Sequence, residues 1–197
     1  MTIALRAVLL DRDGVINEPV ASTPLAAPES PYRPEDVRLV PGVVELLHEL
    51  AAHDVPVAVV SNQPAAAKGT HTLEELSAVD AEVRRQLADR DVVIPIWEYC
   101  FHHPDGDDPV LGRACSCRKP APGMLEAALA ALRVPAGPDV WMIGDSDVDI
   151  AAGEALGLTT VLVEHPLTAH RRTGVTDPTT RVASTGHVST LIRDHAD

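Results

Sequence analysis

Short apolar runs that each stop at a polar residue recur along this 197-residue chain, and their spacing limits the fold more than any other feature. Ile3 to Leu10 is apolar apart from Arg6 and stops at Asp11. "VPVAVVSN" stops at Ser61 and Asn62, "DVWMIGDSD" runs into Asp145, and "TTVLV" follows as a fifth such run. Runs of this kind, rich in β-branched residues, read as strands buried on both faces. "VVIPIWEYCF" reads as the third strand in chain order.

Helical patterns stand between the runs. Pro41 and Gly42 open one whose apolar positions Val43, Leu46, Leu47 and Leu50 follow the helical period. Thr72 and Glu75 have capping-box spacing ahead of a helix reaching about Ala88. "PGMLEAALAALRV" and "DIAAGEALGL" supply two more. Past His165 the pattern fades: "HRRTGVTDPTTR" reads as an exposed segment and "HVSTLIRDH" as a last short helix. Alternation of this type predicts a three-layer α/β fold, Rossmann-like, around a parallel sheet. The length fits one domain over residues 1–197.

In parallel sheets ligands bind beyond the carboxyl ends of the strands. Here those ends carry Asp11 and Asp13, then Ser61 and Asn62, then Asp145, while the third strand leads through a Cys/His loop to Arg118 and Lys119. Asp and Gly also favour turns, but ordinary turn residues would not sort acids, a hydroxyl and cations to one edge. Side chains two apart on a strand share a face, so Asp11 and Asp13 repel unless a cation lies nearby. Asp11 and Asp145 suit Mg²⁺, which takes one or two carboxylates and substrate phosphate oxygens. An aspartate can attack phosphorus to give an acyl phosphate. Asp13, protonated, can donate to the leaving alcohol and later deprotonate water. Gly14 would let backbone N–H groups approach the phosphate, Ser61 would donate to it, and Arg118 would grip an oxygen pair. Only two lysines occur, and Lys68 falls in a loop, so Lys119 is the lysine of choice for the phosphate. Asp149 would orient Lys119 or a metal water, or serve as a first-turn helix acid.

All three cysteines lie between Cys100 and Cys117. With His102, the set Cys100, Cys115 and Cys117 has the composition of a closed structural zinc site that would fold the long loop and hold Arg118 and Lys119 over the sheet edge. His103 is the competing imidazole, and simple packing of small thiols is the plainer alternative.

"DRDGVIN", "SNQ", "CRKPAPGM" and "GDSDVD" together resemble the four motifs of haloacid dehalogenase-superfamily phosphatases, across about Leu5 to Val163. The Cys/His loop is similar to that of the branch containing heptose bisphosphate and histidinol-phosphate phosphatases, and the long His102-to-Cys115 spacing looks more like the heptose enzymes. The resemblance implies Asp11 as nucleophile and Asp13 as general acid/base. It also implies Mg²⁺ on the Asp11 side chain, the Asp13 main-chain oxygen and Asp145. Ser61 and Lys119 would stabilise the phosphoryl group, and Gly14, Asn17, Asn62, Gln63 and Arg118 would contact substrate. Two departures stand out: "EPVASTPLAAPESPYRPEDV" is longer and richer in Pro and Ala than the family's polar segment, and Ser146 occupies a position where heptose enzymes usually carry Lys. No stretch is long enough for a separate cap domain, so the Val20–Arg33 loop is expected to form a wall of the substrate pocket.

A net charge of −13 disfavours a nucleic-acid or anionic-membrane partner, and with it a polynucleotide phosphatase. No apolar segment approaches about 20 residues and no signal sequence opens the chain, so a cytoplasmic protein is expected, with a monomer assumed. The expected activity is a Mg²⁺-dependent sugar-phosphate phosphatase acting on heptose bisphosphate. Histidinol-phosphate hydrolysis and a catalytically silent zinc-dependent binding module are the alternatives.

Overall fold

The computed structural model describes residues 5–21 and 26–196. Strands and helices alternate: β1 (Ala7–Leu10), α1 (Val43–Ala52), β2 (Val57–Asn62), α2 (Leu73–Ala88), β3 (Ile96–Cys100), α3 (Gly123–Leu132), β4 (Val140–Gly144), α4 (Asp147–Glu154), β5 (Thr159–Val163), β6 (Thr180–Val182) and α5 (Thr185–Ala196). The strands form one parallel sheet in the order β3-β2-β1-β4-β5-β6. The order reverses between β1 and β4, which pair with Leu10 opposite Ile143. Divergent connections leave a crevice at such a switch point, so the residues following β1 and β4 flank it.

Period-2 alternation explains the three layers. On one face Val8, Leu10, Val59 and Ile143 pack with Leu46 and Leu50 of α1, Val79 and Val83 of α2, and Val188 and Ile192 of α5. On the other, Ala7, Leu9, Ala58, Val60 and Met142 pack with Met124, Leu125 and Leu129 of α3 and Ala152 of α4. A strand such as β1, buried at all four positions, has no polar face to show.

Boundaries shift for local reasons. The expected first strand begins at Ile3, which lies outside the described residues; the structure starts pairing at Ala7. Pairing of β3 begins at Ile96 because Pro95 has no N–H to donate. Helix α2 carries the expected capping box, Thr72 Oγ1 accepting from Glu75 N and Glu75 Oε2 accepting from Thr72 N. Helix α4 starts two residues before the expected Asp149, because the N–H of Ser146 donates to the Asp149 carboxylate. β6, three residues at the sheet edge, was not anticipated. No helix among the described residues is long and apolar enough to cross a membrane.

Candidate active site

Asp11 continues β1, its N–H donating to Ile143 O at 2.9 Å, and Asp145 follows β4. Ligand oxygens of Asp11, Asp145 and Asp149 all lie within 4.8 Å of one another. Asp145 is fully buried, and its Oδ1 has no hydrogen-bond partner among the described residues. Burial pushes the Asp11 carboxyl up to about 6; the Lys119 ammonium opposes the rise, and Asp149 and Asp13 add to it. Burial raises Asp145 well above the usual carboxylate range, reinforced by Asp11 and Asp149. The close approach depends on Gly14, which adopts φ +98°: a Cβ there would stand 2.1 Å from Asp145 Oδ2. Gly14 N itself donates to Asn17 O at 2.8 Å, so this glycine's own N–H is taken up within the chain while its missing Cβ makes room for Asp145.

Lys119 is 2% exposed and its Nζ reaches Asp11 Oδ1 at 2.9 Å, Asp149 Oδ1 at 2.6 Å and Val60 O at 2.7 Å. Burial works against the charge, but Asp11 and Asp149 hold the ammonium above its usual range. Of the roles open to Asp149, the structure selects two. Oδ1 pairs with Lys119, while Oδ2 accepts the N–H groups of Asp145 and Ser146 at 3.2 and 3.1 Å. Asn62 holds Lys119 through its backbone: Nδ2 donates to Lys119 O at 3.0 Å and Oδ1 accepts Lys119 N at 3.1 Å. Asn62 also lines the cleft, so its amide both holds Lys119 and borders the substrate space. Ser61 lines the cleft and accepts Gln63 Nε2 at 3.0 Å, leaving its own proton available.

Asp13 is surrounded by donors. Arg12 gives a fork at 3.0 and 3.2 Å from its terminal nitrogen, Asn17 Nδ2 donates at 2.9 Å, and Ser30 Oγ and Gln63 Nε2 each donate at 2.6 Å. Burial alone would raise this carboxyl, but Arg12 and the bonds from Ser30, Asn17 and Gln63 hold it below its usual range. These donors favour the ionised form of Asp13 in this arrangement. Asn17 and Gln63, both buried, are absent from the cleft lining and act on Asp13, a correction to the substrate contact expected of them.

Above these groups lies a cleft of about 520 Å³, lined by Asp11, Asp13, Ser61, Lys119, Arg118 and Arg171 among others, with Ala27, Pro28, Glu29, Ser30 and Tyr32 along one side. The Val20–Arg33 loop thus forms a wall over its described part; residues 22–25 of that loop lie outside the described residues. The loop is held by paired backbone bonds between Val20 and Glu29 at 2.8 and 2.9 Å, and by Tyr32 stacked on His71 with ring centroids 3.9 Å apart.

Comparison with known proteins gives the site a context. The HAD-hydrolase-like family model matches residues 116–191. A D-glycero-β-D-manno-heptose-1,7-bisphosphate 7-phosphatase of Yersinia pestis is 32% identical over 86% of this chain and 87% of its own length. One from Pseudomonas putida is 34% identical over 81% and 83%. The chain belongs to the HAD-like phosphatases. A crystal structure of the D,D-heptose 1,7-bisphosphate phosphatase from B. bronchiseptica, complexed with magnesium and phosphate, superimposes with a TM-score of 0.76. It is 26% identical and covers 96% of this chain and 98% of that one.

This HAD-like phosphatase brings the Cys/His loop together as expected. Sγ of Cys117 lies 3.3 Å from those of Cys100 and Cys115, which are 3.5 Å from each other, and His102 Nδ1 is 3.8 and 3.6 Å from Cys100 and Cys117. A tetrahedron with Zn–S bonds near 2.3 Å has edges of roughly 3.8 Å, so the donor set fits a tetrahedral metal. His103 Nδ1 instead accepts Asp105 N at 3.2 Å, which removes it from the competition. Cys117 precedes Arg118 directly, and Arg118 NH1 donates to His102 O at 3.3 Å, so the cluster fixes the start of the segment that delivers Lys119.

The HAD-like phosphatase also contains a site residue that sequence reasoning missed. Arg171, in the segment read as exposed, ends a 3₁₀ helix over Pro166–Arg171 and has a side chain 24% exposed. Its NH1 lies 3.4 Å from Asp13 O and 3.5 Å from Asp145 Oδ2. No periodicity marks this segment; only the doubled Arg in an acidic protein hinted at it.

Proposed function

We propose that this chain hydrolyses a sugar phosphomonoester through a phospho-aspartate on Asp11, with the 7-phosphate of D-glycero-β-D-manno-heptose 1,7-bisphosphate as the leading substrate. The single observation that carries the chemistry is the meeting of Asp11, Asp145 and Lys119 at the switch point of the sheet, under a cleft large enough for a sugar phosphate. The sugar is suggested by the relatives from Yersinia pestis and Pseudomonas putida, whose names specify it.

The buried, unpartnered Asp145 Oδ1 and the raised carboxyls fit a hard divalent cation. Mg²⁺ would be held by Asp11, the Asp13 main-chain oxygen and Asp145, and when bound it neutralises charge on the acids and the phosphoryl oxygens. Arg171 NH1 lies 3.4 Å from Asp13 O and 3.5 Å from Asp145 Oδ2, which supports their facing the same part of the cleft. The chain's own groups then act in order. An Asp11 oxygen attacks phosphorus, the bond from phosphorus to the sugar oxygen breaks, and that oxygen takes a proton from Asp13. For this, Asp13 must first take up a proton from solvent on Oδ2, which Ser30 or Gln63 must release, since both donate to it at 2.6 Å. Water, deprotonated by Asp13, next attacks phosphorus and the bond to Asp11 breaks, restoring the carboxylate. Lys119 and the Ser61 hydroxyl stabilise the phosphoryl oxygens, and Arg118 on the cleft wall meets the remainder of the substrate. The Cys100, His102, Cys115 and Cys117 set would bind Zn²⁺ as a structural ion, and the enzyme would work in the cytoplasm as a monomer.

The test is phosphate release from heptose bisphosphate, histidinol phosphate and other sugar phosphates, with and without EDTA, by the wild type and Asp11→Asn. Metal-dependent release with a preference for the heptose bisphosphate is expected, and Asp11→Asn should be folded and inactive. Activity retained by Asp11→Asn would reject the covalent route, and a preference for histidinol phosphate would reject the sugar.

A further inference from the structure

Arg171 sits on a firmly anchored stretch of chain. Arg172 donates to Asp145 O at 3.1 Å, Thr168 Oγ1 at 3.0 Å and His165 O at 3.0 Å. Asp147 accepts from Thr173 N, Thr173 Oγ1 and Thr176 Oγ1 at 2.6, 2.7 and 2.9 Å, and His165 pairs with Glu18 at 2.8 Å. The Arg171 guanidinium, by contrast, makes only long contacts: 3.4 Å to Asp13 O, 3.5 Å to Asp145 Oδ2 and 3.4 Å to Pro28 O. Charge-assisted bonds between settled partners are about 2.7–2.9 Å. The side chain is aimed at the acid centre and lines the cleft, but no partner among the described residues holds it tightly.

Charge explains what it is aimed at. Arg171 aside, Asp11, Asp145 and Asp149 face one ammonium among the described residues, Lys119, so when all three are ionised three negative charges meet one positive and two remain. A divalent cation cancels those two. The Asp13 charge is already matched by Arg12, and Ser146, beside Asp145, is uncharged and donates to Asp149. A phosphate dianion entering on the Asp145 side then finds Arg171 as the cation whose charge is still open.

We propose that Arg171 is an exchangeable cation of the acid centre. It draws on Asp13 O and the Asp145 carboxylate, groups that would also hold the divalent ion, yields them when the ion binds, and then grips the phosphoryl oxygens of the substrate with its two-pronged end. The inference rests on the phosphatase reading above and adds a substrate-contacting residue to it. It has a signature that a merely structural tie between Pro28 and the segment after β5 lacks. Removing the charge must move two affinities in opposite directions: Mg²⁺ binds more tightly because a competitor is gone, and phosphate binds more weakly because its partner is gone.

The experiment is calorimetric titration of Mg²⁺ into the full chain, and of inorganic phosphate into the Mg²⁺-loaded chain, for the wild type, Arg171→Gln and Arg171→Lys. Arg171→Gln should tighten Mg²⁺ severalfold and weaken phosphate by roughly ten- to a hundredfold, the loss of a charge-assisted bond. Arg171→Lys, keeping charge but not the fork, should leave Mg²⁺ near wild type and weaken phosphate less. It decides the matter alone if the Gln variant fails to fold. Unchanged or weaker Mg²⁺ binding in Arg171→Gln, or unchanged phosphate binding in both variants, overturns the proposal. A wild type that binds both ions but releases no phosphate from any sugar phosphate would instead defeat the hydrolase reading and leave the exchange intact.

Discussion

The side-chain amide of Asn62 closes a reciprocal pair with the backbone of Lys119, Nδ2 to O at 3.0 Å and Oδ1 to N at 3.1 Å. The strand end β2 thereby fixes the lysine whose ammonium bridges Asp11 and Asp149. Asn62→Ala removes both bonds and leaves partly buried backbone groups unpaired. We expect a stability loss of about 1–3 kcal/mol by urea unfolding. Displacement of Lys119 should lower kcat by roughly tenfold to a hundredfold, since small misplacements of catalytic groups are costly. An unchanged kcat would show that Lys119 holds its position without this pair.

Metal binding should be linked to pH through the acid centre. In the folded chain burial pushes Asp11 up to about 6 and Asp145 well above the usual carboxylate range. Between about pH 4 and 6 the folded state therefore binds protons that the unfolded state has released. The sign follows: for these two groups, unfolding free energy falls as pH rises through that window. Mg²⁺ needs the ionised forms, and near pH 5 only about a tenth of Asp11 is ionised, so its apparent affinity should be about tenfold weaker than near pH 7. Comparing the Mg²⁺-induced rise in Tm at the two pH values cancels the other carboxylates. Equal increments would contradict the linkage, and Asp145→Asn should abolish the increment at both.

Much of this architecture was readable in advance because it is periodic or local. The apolar runs ending at Asp11, Ser61 and Asp145, the Thr72–Glu75 cap and the Cys100–Cys117 cluster depend on near neighbours or on composition. What escaped depends on pairs far apart in sequence. Arg171 reaches Asp13 across 158 positions, and Gln63 reaches it across 50. The family resemblance assigns Asn17 and Gln63 to substrate, but three-dimensional packing turns their amides to Asp13. β6 is too short and too exposed at its centre to leave a hydrophobic signature.

The Cys/His cluster should carry one zinc per chain by elemental analysis. Cys117→Ser should lose it and lower Tm by several degrees, since structural zinc contributes folding energy directly. Because Arg118 and Lys119 follow Cys117, activity should fall as well, while Mg²⁺ binding at the acids persists. A zinc-free, fully stable wild type would reject the structural ion.

Ser30 joins the Pro-rich wall to Asp13 Oδ2 by a 2.6 Å hydrogen bond that favours the ionised carboxyl. Removing it in Ser30→Ala should raise the Asp13 pKa. If Asp13 protonates the leaving oxygen, activity is lost as pH rises through that pKa, so the alkaline limb of the pH–rate profile should move upward. A limb that stays in place would separate Asp13 from the proton transfer.

The most direct measurement is chemical trapping on Asp13→Asn, which should slow attack by water on the phosphorylated enzyme more than its formation. After mixing with substrate and Mg²⁺, acid quench and borohydride reduction convert an aspartyl phosphate to homoserine, located by peptide mass spectrometry. The prediction is homoserine at position 11 and nowhere else. Full turnover by the wild type with unmodified Asp11 throughout the time course would mean that water attacks the substrate directly, and that Asp11 serves the metal alone.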